Sequence, residues 1–352
     1  MSKKHVCIAA CCTILMLLAC GAYLALSSFT EKENRYVLIY DTDTYNSLCS
    51  RLDTIASPLR MPMFRTMAAV SGYSGRSPRP GRYKVSGIST FTLIQNLRHG
   101  LQEPLRYNVP LVWTPQNLAK RLSAKFLTDS TSFADAFADS ILLADLDITP
   151  PELFCIIIPD TYEFYWTMSP EDFLRRMKTA SERFWNDERT KKASAHGLTP
   201  KEAVTLASIV EKETAQDDEK PTIAGLYLNR LHKGMKLQAD PTVKFAVGDF
   251  ALRRILNRHL QTPSPYNTYM HEGLPPAPIC LPSRASIEAV LNAETHNYIY
   301  VRTRRLQRTP QLRRNLRGTP RQRPPLHPRP KRARDKVTLG YSFRPLCSGV
   351  IV

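Results

Sequence analysis

The stretch TPKEAVTLASIVEKET, Thr199 to Thr214, decides how the chain is read. Thr199 is placed to cap a helix, Pro200 suits its first turn, and Glu202 three residues on closes a capping box. Apolar residues follow at Val204, Leu206, Ala207, Ile209 and Val210. At helical spacing Glu213 lies four after Ile209, three after Val210 and seven after Leu206. The spacing predicts an acid at the end of the most apolar stripe of a buried helix. Burial favours the neutral, proton-donating carboxyl, which is what a general acid requires. Glu211 is the fallback; it faces Ala207 and Ser208 and is therefore less desolvated. An acid beside a lysine in a helix is ordinarily a solvated surface group. Both glutamates therefore gain weight only from their surroundings.

Those surroundings are LQADPTV (Leu237–Val243), SPYNTY (Ser264–Tyr269) and GLPPAPI (Gly273–Ile279), with PDTYEF (Pro159–Phe164) upstream. With IVEKET (Ile209–Thr214), these five motifs, in this order, resemble the YceG-like family, the endolytic murein transglycosylases. The likeness runs from about Tyr36 to Tyr300 and is strong from Pro159 onward. It implies a single-pass protein of the inner membrane with its catalytic domain outside the cytoplasm. It also implies an acid that protonates the bond between N-acetylmuramic acid and N-acetylglucosamine. The same group then serves as base for the muramic C6 hydroxyl, leaving a 1,6-anhydro end. Glutamate followed by threonine at Glu213-Thr214 is similar to the acid-hydroxyl pair of the wider transglycosylase class. The resemblance implies glycan strands as substrate, peptidoglycan synthases as further candidate partners, and no cofactor.

The 352 residues suffice for two modest domains, and the formal charge is +18. From Val301 onward 13 Arg and 2 Lys face one Asp, so +14 belongs to the tail and +4 to the first 300 residues. No recognition motif accompanies the basic tail, and a nucleic-acid partner is not expected. The eight cysteines show no metal-ligand spacing and no disulfide framework.

The expected fold class is α+β: an N-terminal transmembrane helix, a small LysM-like module, and a mixed α+β catalytic domain. The divisions are 1–29, 30–104, 105–300 and an atypical tail at 301–352. Lys3-Lys4 precedes a nearly uncharged run over residues 6–29, read as a membrane anchor in contact with lipid. A cleaved signal peptide, or a loose lipoprotein box at Leu17-Leu18-Ala19 with Cys20 lipidated, is the alternative; the apolar stretch continuing past Cys20 to Leu26 favours an uncleaved anchor. A strand at Tyr36–Tyr40, a helix at Asp43–Leu52, a strand entered at Pro80–Val85 and a helix at Thr90–Arg98 make up the module. Strands are expected at Leu105–Val112 and Phe154–Ile158, with a turn at Pro159–Tyr162 and one helix over Ser132–Leu143. The tail, rich in Arg and Pro and without strand or helical period, reads as an out-of-frame version of the expected ending. An anion-binding or disordered appendage is the alternative.

One carboxylate suffices for a transglycosylase, whereas an ordinary glycosidase needs two. Asp240 is the nearby candidate for a second, and its plainer role is to cap the helix begun by Pro241. Tyr266, Asn267, Thr268 and Tyr269, with Gln238 and Asp240, are the expected sugar-binding set; the plainer reading of the loop is an Asn-stabilised turn. Two other classes stay open: a muramidase-type hydrolase using Asp240 to activate water, and a non-catalytic, membrane-anchored glycan-binding protein.

Overall fold

The structure, a computed structural model, describes residues 3–303 and 310–314. The chain divides into two compact units. One holds Met1–Asn108, Lys120–Phe133 and Thr161–Pro170; the other holds Val109–Ala119, Ala134–Asp160 and the chain from Glu171 on.

The first unit opens with α1 (Lys3–Leu26). Leu15, Met16, Leu17 and Leu18 occupy successive positions around this helix and all stay exposed. Among the described residues no helix is long and apolar enough to cross a membrane. The transmembrane helix expected over 6–29 is thus not shown among them. Next come β1 (Tyr36–Ile39), α2 (Tyr45–Asp53), α3 (Arg60–Val70), β2 (Gly81–Lys84) and α4 (Thr90–His99). Strands β1 and β2 pair antiparallel, Tyr36 opposite Lys84 and Ile39 opposite Gly81. Thr44 and Ser47 form a capping box on α2, and the Ser89 hydroxyl accepts from the Thr92 N–H to start α4. Val37 and Ile39, two apart and so on one face of the strand, meet Leu48, Phe64, Leu93 and Leu97 in one core. Two helices rather than one lie between these strands. Helix α3 buries Met61, Phe64 and Ala68, a helical stripe that the sequence reading passed over.

Strand β3 (Leu105–Asn108) pairs antiparallel with β4 (Thr161–Phe164). Both depart from expectation. β3 stops before Pro110, which has no N–H to donate to a ladder. The expected turn at 161–162 is strand. Of the expected strand at Phe154–Ile158, Phe154 and Cys155 close a 3-10 turn (Pro150–Cys155), opened by a Thr149–Glu152 capping box, and residues 156–158 run on without strand pairing. A short apolar run meets its burial either way, and periodicity cannot tell the two apart.

Helices α5 (Pro115–Ser123), α6 (Ser130–Ala138) and α7 (Ser140–Ala144) follow β3 in the chain. The single helix expected over 132–143 breaks at Asp139, whose carboxylate accepts from the Ile141 and Leu142 N–H groups and starts a new one.

The second unit is built on α8 (Pro170–Phe184), α9 (Asp187–Ala195), α10 (Pro200–Glu213), α11 (Lys220–His232), α12 (Asp240–Val247), α13 (Asn257–Leu260) and α14 (Arg284–Leu291). Helix α10 is its axis: every residue from Ala203 to Val210 is buried. It packs against α11 and α14. Ser208, fully buried, accepts from the Ile279 N–H at 3.0 Å and so pins the Gly273–Pro282 loop to the helix. Strands β5 (Tyr298–Thr303) and β6 (Pro310–Arg314) form an antiparallel hairpin. A strand at 310–314 corrects the reading of the tail as lacking one; the remainder of the atypical 301–352 segment, at 304–309 and 315–352, lies outside the described residues.

Gly225 on α11 lets the chain pass at Glu294. A Cβ there would meet the Glu294 carbonyl oxygen at 2.3 Å, a backbone atom that cannot swing away. Gly225→Ala is expected to destabilise the second unit by about 1–3 kcal/mol, an overpacking penalty. The midpoint of urea unfolding, compared with wild type, measures it; an unchanged midpoint would refute the close approach.

Candidate active site

Helix α10 ends in two carboxylates with different surroundings. The Glu211 Oε2 accepts from the Ser283 hydroxyl at 2.5 Å, the Ser283 N–H at 3.1 Å and the Ser286 hydroxyl at 2.5 Å. The Lys220 ammonium, itself buried, lies 3.4 Å from the same oxygen. Burial alone would push this carboxyl up, but the serine hydroxyls, the Ser283 N–H and Lys220 together hold it below its ordinary range. Glu211 is thus a charged clasp between α10 and the start of α14.

Glu213 has no such set of donors. It borders a cavity of about 190 Å3 together with Tyr227, Arg230, Asp240 and Tyr269. Leu226 and Leu237, both buried, give the cavity an apolar lining. Protein atoms surround the carboxyl, although the residue keeps partial exposure through the opening. Burial, reinforced by the negative charge of Asp240, pushes the acid up to about 7 against the pull of the Tyr227 hydroxyl and Arg230. Its place in the last turn of α10 also favours the neutral acid, since the C-terminal end of a helix carries partial negative charge.

The cavity walls come from three further elements. Tyr227 and Arg230 lie three apart on one face of α11. The Arg230 guanidinium donates to the Ile299 carbonyl at 2.8 Å and the Leu237 carbonyl at 2.7 Å, joining β5 and the turn before α12. Asp240 opens α12 without capping it: Ala239 is the N-cap residue, and the Asp240 carboxylate accepts from the Tyr269 hydroxyl at 2.7 Å. Burial raises the Asp240 carboxyl, and the Tyr269 bond opposes that rise. Burial also raises the Tyr269 phenol, with the Asp240 charge adding to the rise. Gln238 lines the opening in a left-handed conformation, φ 49°, a strained state for a residue with a side chain.

Of the residues read from the sequence, Glu213, Gln238, Asp240 and Tyr269 are brought to this cavity. Asn267 and Thr268 are not. Asn267 is fully buried and donates to the carbonyls of Leu260 and Thr262. The Thr268 hydroxyl accepts from the Ala239 N–H and meets the Thr242 hydroxyl at 2.8 Å. Both hold the loop in shape from within. The Tyr266 ring packs on Phe245 at 4.6 Å instead of lining the cavity. Sequence reasoning missed Tyr227, Arg230 and Tyr300. One sign was available: Arg230 sits three after Tyr227, on a stripe that is otherwise apolar and inward.

The YceG-like family matches the chain over residues 37–315, some 15 residues beyond the limit read from the motifs. A Bacillus subtilis (strain 168) protein named endolytic murein transglycosylase is 37% identical over 149 residues, 41% of this chain and 40% of that protein. A Streptococcus pneumoniae protein of the same name is 30% identical over 152 residues, 41% of this chain and 27% of that one. The matched part is thus less than half the length of either relative. A crystal structure of a yceG-like protein from Listeria monocytogenes superimposes with a TM-score of 0.54 at 23% identity, covering 80% of this chain and 96% of that one. That likeness establishes the fold.

Glu211→Ala is expected to lower stability by about 1–3 kcal/mol at neutral pH, because it leaves the buried Ser283 and Ser286 donors without their charged acceptor while Lys220 keeps Asp217 at 2.7 Å. Glu211 has its carboxyl held low, so its contribution is present above the ordinary glutamate value of about 4.3 and is lost as pH falls below it. The gap in urea midpoint between wild type and variant should therefore close in acid; a pH-independent gap would refute the ionic clasp. Glu213 is the opposite case. Its folded-state value is raised, so its contribution is complete below about 4.3 and fades as pH rises through about 7. A carbon-13 titration should show one glutamate inflecting near 7 that is absent in Glu213→Gln and moves down in Asp240→Asn; an ordinary glutamate titration would refute the site's electrostatics.

Proposed function

Because the chain belongs to the YceG-like family, we propose that it is an endolytic murein transglycosylase with Glu213 as its acid and base. The observation that carries this reading is a single carboxyl, raised to about 7, facing a cavity in which the second carboxylate is already bonded to Tyr269. A group titrating near the working pH can give up a proton and recover it within one cycle.

Glu213 donates its proton to the glycosidic oxygen as the bond from the muramic C1 to that oxygen breaks. The muramic C6 hydroxyl then adds to C1, and its proton passes to the Glu213 carboxylate. One C–O bond breaks, one forms, the acid is regenerated, and water takes no part. The developing positive charge on the sugar ring lies near the Asp240 carboxylate, which favours it electrostatically. Tyr227 fixes the orientation of the acid through its hydroxyl. The Tyr269 bond occupies Asp240 and disfavours its use as the base that a hydrolase needs to activate water.

The same reading sets the protein outside the cytoplasm at the inner membrane, where new glycan is laid down. Its support is the exposed apolar surface of α1, which calls for an apolar environment. Protease accessibility of the tagged full chain in spheroplasts tests it, and complete protection would overturn it.

The reaction is tested by incubating the full chain in detergent with purified glycan strands, beside Glu213→Gln, and weighing the fragments. The expected result is internal cleavage with anhydro ends, reduced at least about 100-fold by Glu213→Gln, as loss of a general acid implies. Water-added reducing ends would make the protein a hydrolase. Intact strands after incubation with folded protein would overturn catalysis.

A further inference from the structure

Lys212 immediately precedes the acid on α10. Its ammonium sits over the Trp113 ring, 4.6 Å from the centroid. Among the described residues it has neither a carboxylate partner nor a hydrogen-bond acceptor. Trp113 is the first of a series of half-buried rings. Phe250 lies 4.9 Å from it, tilted by 33°; Phe245 lies 6.3 Å from Phe250; and Tyr266 lies 4.6 Å from Phe245.

This series shares its supports with the cavity. Helix α10 carries Glu213 into the cavity and Lys212 onto Trp113. Helix α12 carries Asp240 into the cavity and Phe245 into the ring series. The loop at 264–269 supplies Tyr269 to one and Tyr266 to the other. Lys212 and Glu213 are neighbours on α10, so their side chains leave the helix about 100° apart and the ring series flanks the cavity without lining it. Rings present apolar faces that match the C–H face of a sugar, and an ammonium held above a ring is partly desolvated and short of an anion.

We propose that Lys212, seated on Trp113 beside the ring series, forms a subsite for a sugar residue whose substituent carries a carboxylate, next to the bond that is cut. The inference rests on the transglycosylase reading and gives that site its substrate preference. The carboxylate has two sources in murein, the lactyl group itself or the peptide stem attached to it. Lys212 acts on binding and does not exchange protons with the reacting atoms.

The test uses the full chain in detergent as wild type, Lys212→Met and Lys212→Arg. Methionine keeps an apolar stem over Trp113 and removes the charge. Three substrates are compared: strands with peptide stems, strands stripped by an amidase so that the lactyl carboxylate is free, and stripped strands with that carboxyl converted to a neutral amide. Lys212→Met should raise KM about ten-fold on a carboxylate-bearing strand, the size of one charge-assisted contact, with kcat changed less than about two-fold. Arginine should restore it, and the neutral amide strand should show no difference. An effect on stem-bearing strands alone assigns the stem carboxylate, and an effect on stripped strands assigns the lactyl group. Equal losses on all three substrates, or no loss on any, would overturn the proposal. If wild type cuts nothing, the transglycosylase reading fails by itself. Anisotropy of labelled strands binding to Glu213→Gln, with and without Lys212→Met, then decides the subsite separately by the same ranking.

Discussion

The second unit depends on how two carboxyl groups, two residues apart on one helix, are supplied with donors. Burial penalises both. Glu211 meets two hydroxyls, an N–H and an ammonium, and becomes an anion that fastens α10 to α14. Glu213 meets one phenol and a neighbouring anion, and remains an acid. Desolvation is shared; the number of hydrogen-bond donors separates the outcomes. The clasp also makes the acid possible. A helix end carrying a half-exposed acid has to be held still, and Glu211, bound to Lys220 and Ser283, does so two residues before it.

Around that end the fold brings together elements distant in sequence, each with one side chain committed to structure and another to the cavity. On α11, Asn229 satisfies the carbonyls of His296 and Tyr298, while Tyr227 reaches Glu213. In the loop at 264–269, Asn267 closes the turn from within, while Tyr269 reaches Asp240. This alternation explains why a polar loop reads as a sugar-binding surface from sequence and yet has half of its polar groups facing inward.

Helix α10 was legible because its start, its stripe and its end all carry local signals: a capping box, an apolar period and a terminal acid. Asp240 and Tyr269 were legible as candidates, but their bond was not, since 29 residues separate them and loop side chains follow no period. Asn267 shows the limit from the other side: an amide facing a hydroxyl and an amide facing a carbonyl look identical in a sequence. Arg230 was opaque for a stronger reason. A buried guanidinium is exceptional, and what makes it tolerable here is a carbonyl that arrives 69 residues later. The turn and strand exchanged places around 154–164 because β4 is defined by its partner β3 and not by its own composition.

The Arg230 arrangement has a consequence for how the protein comes into being on the ribosome. Until the segment around Ile299 has left the exit tunnel, the guanidinium lacks one of its carbonyl acceptors, and the cavity lacks the Tyr300 wall. The acid itself emerges some 86 residues earlier. The assembled pocket is thus withheld from the nascent chain until that segment is free, so that a product interrupted before this point carries the Glu213 carboxyl but not the walls around it.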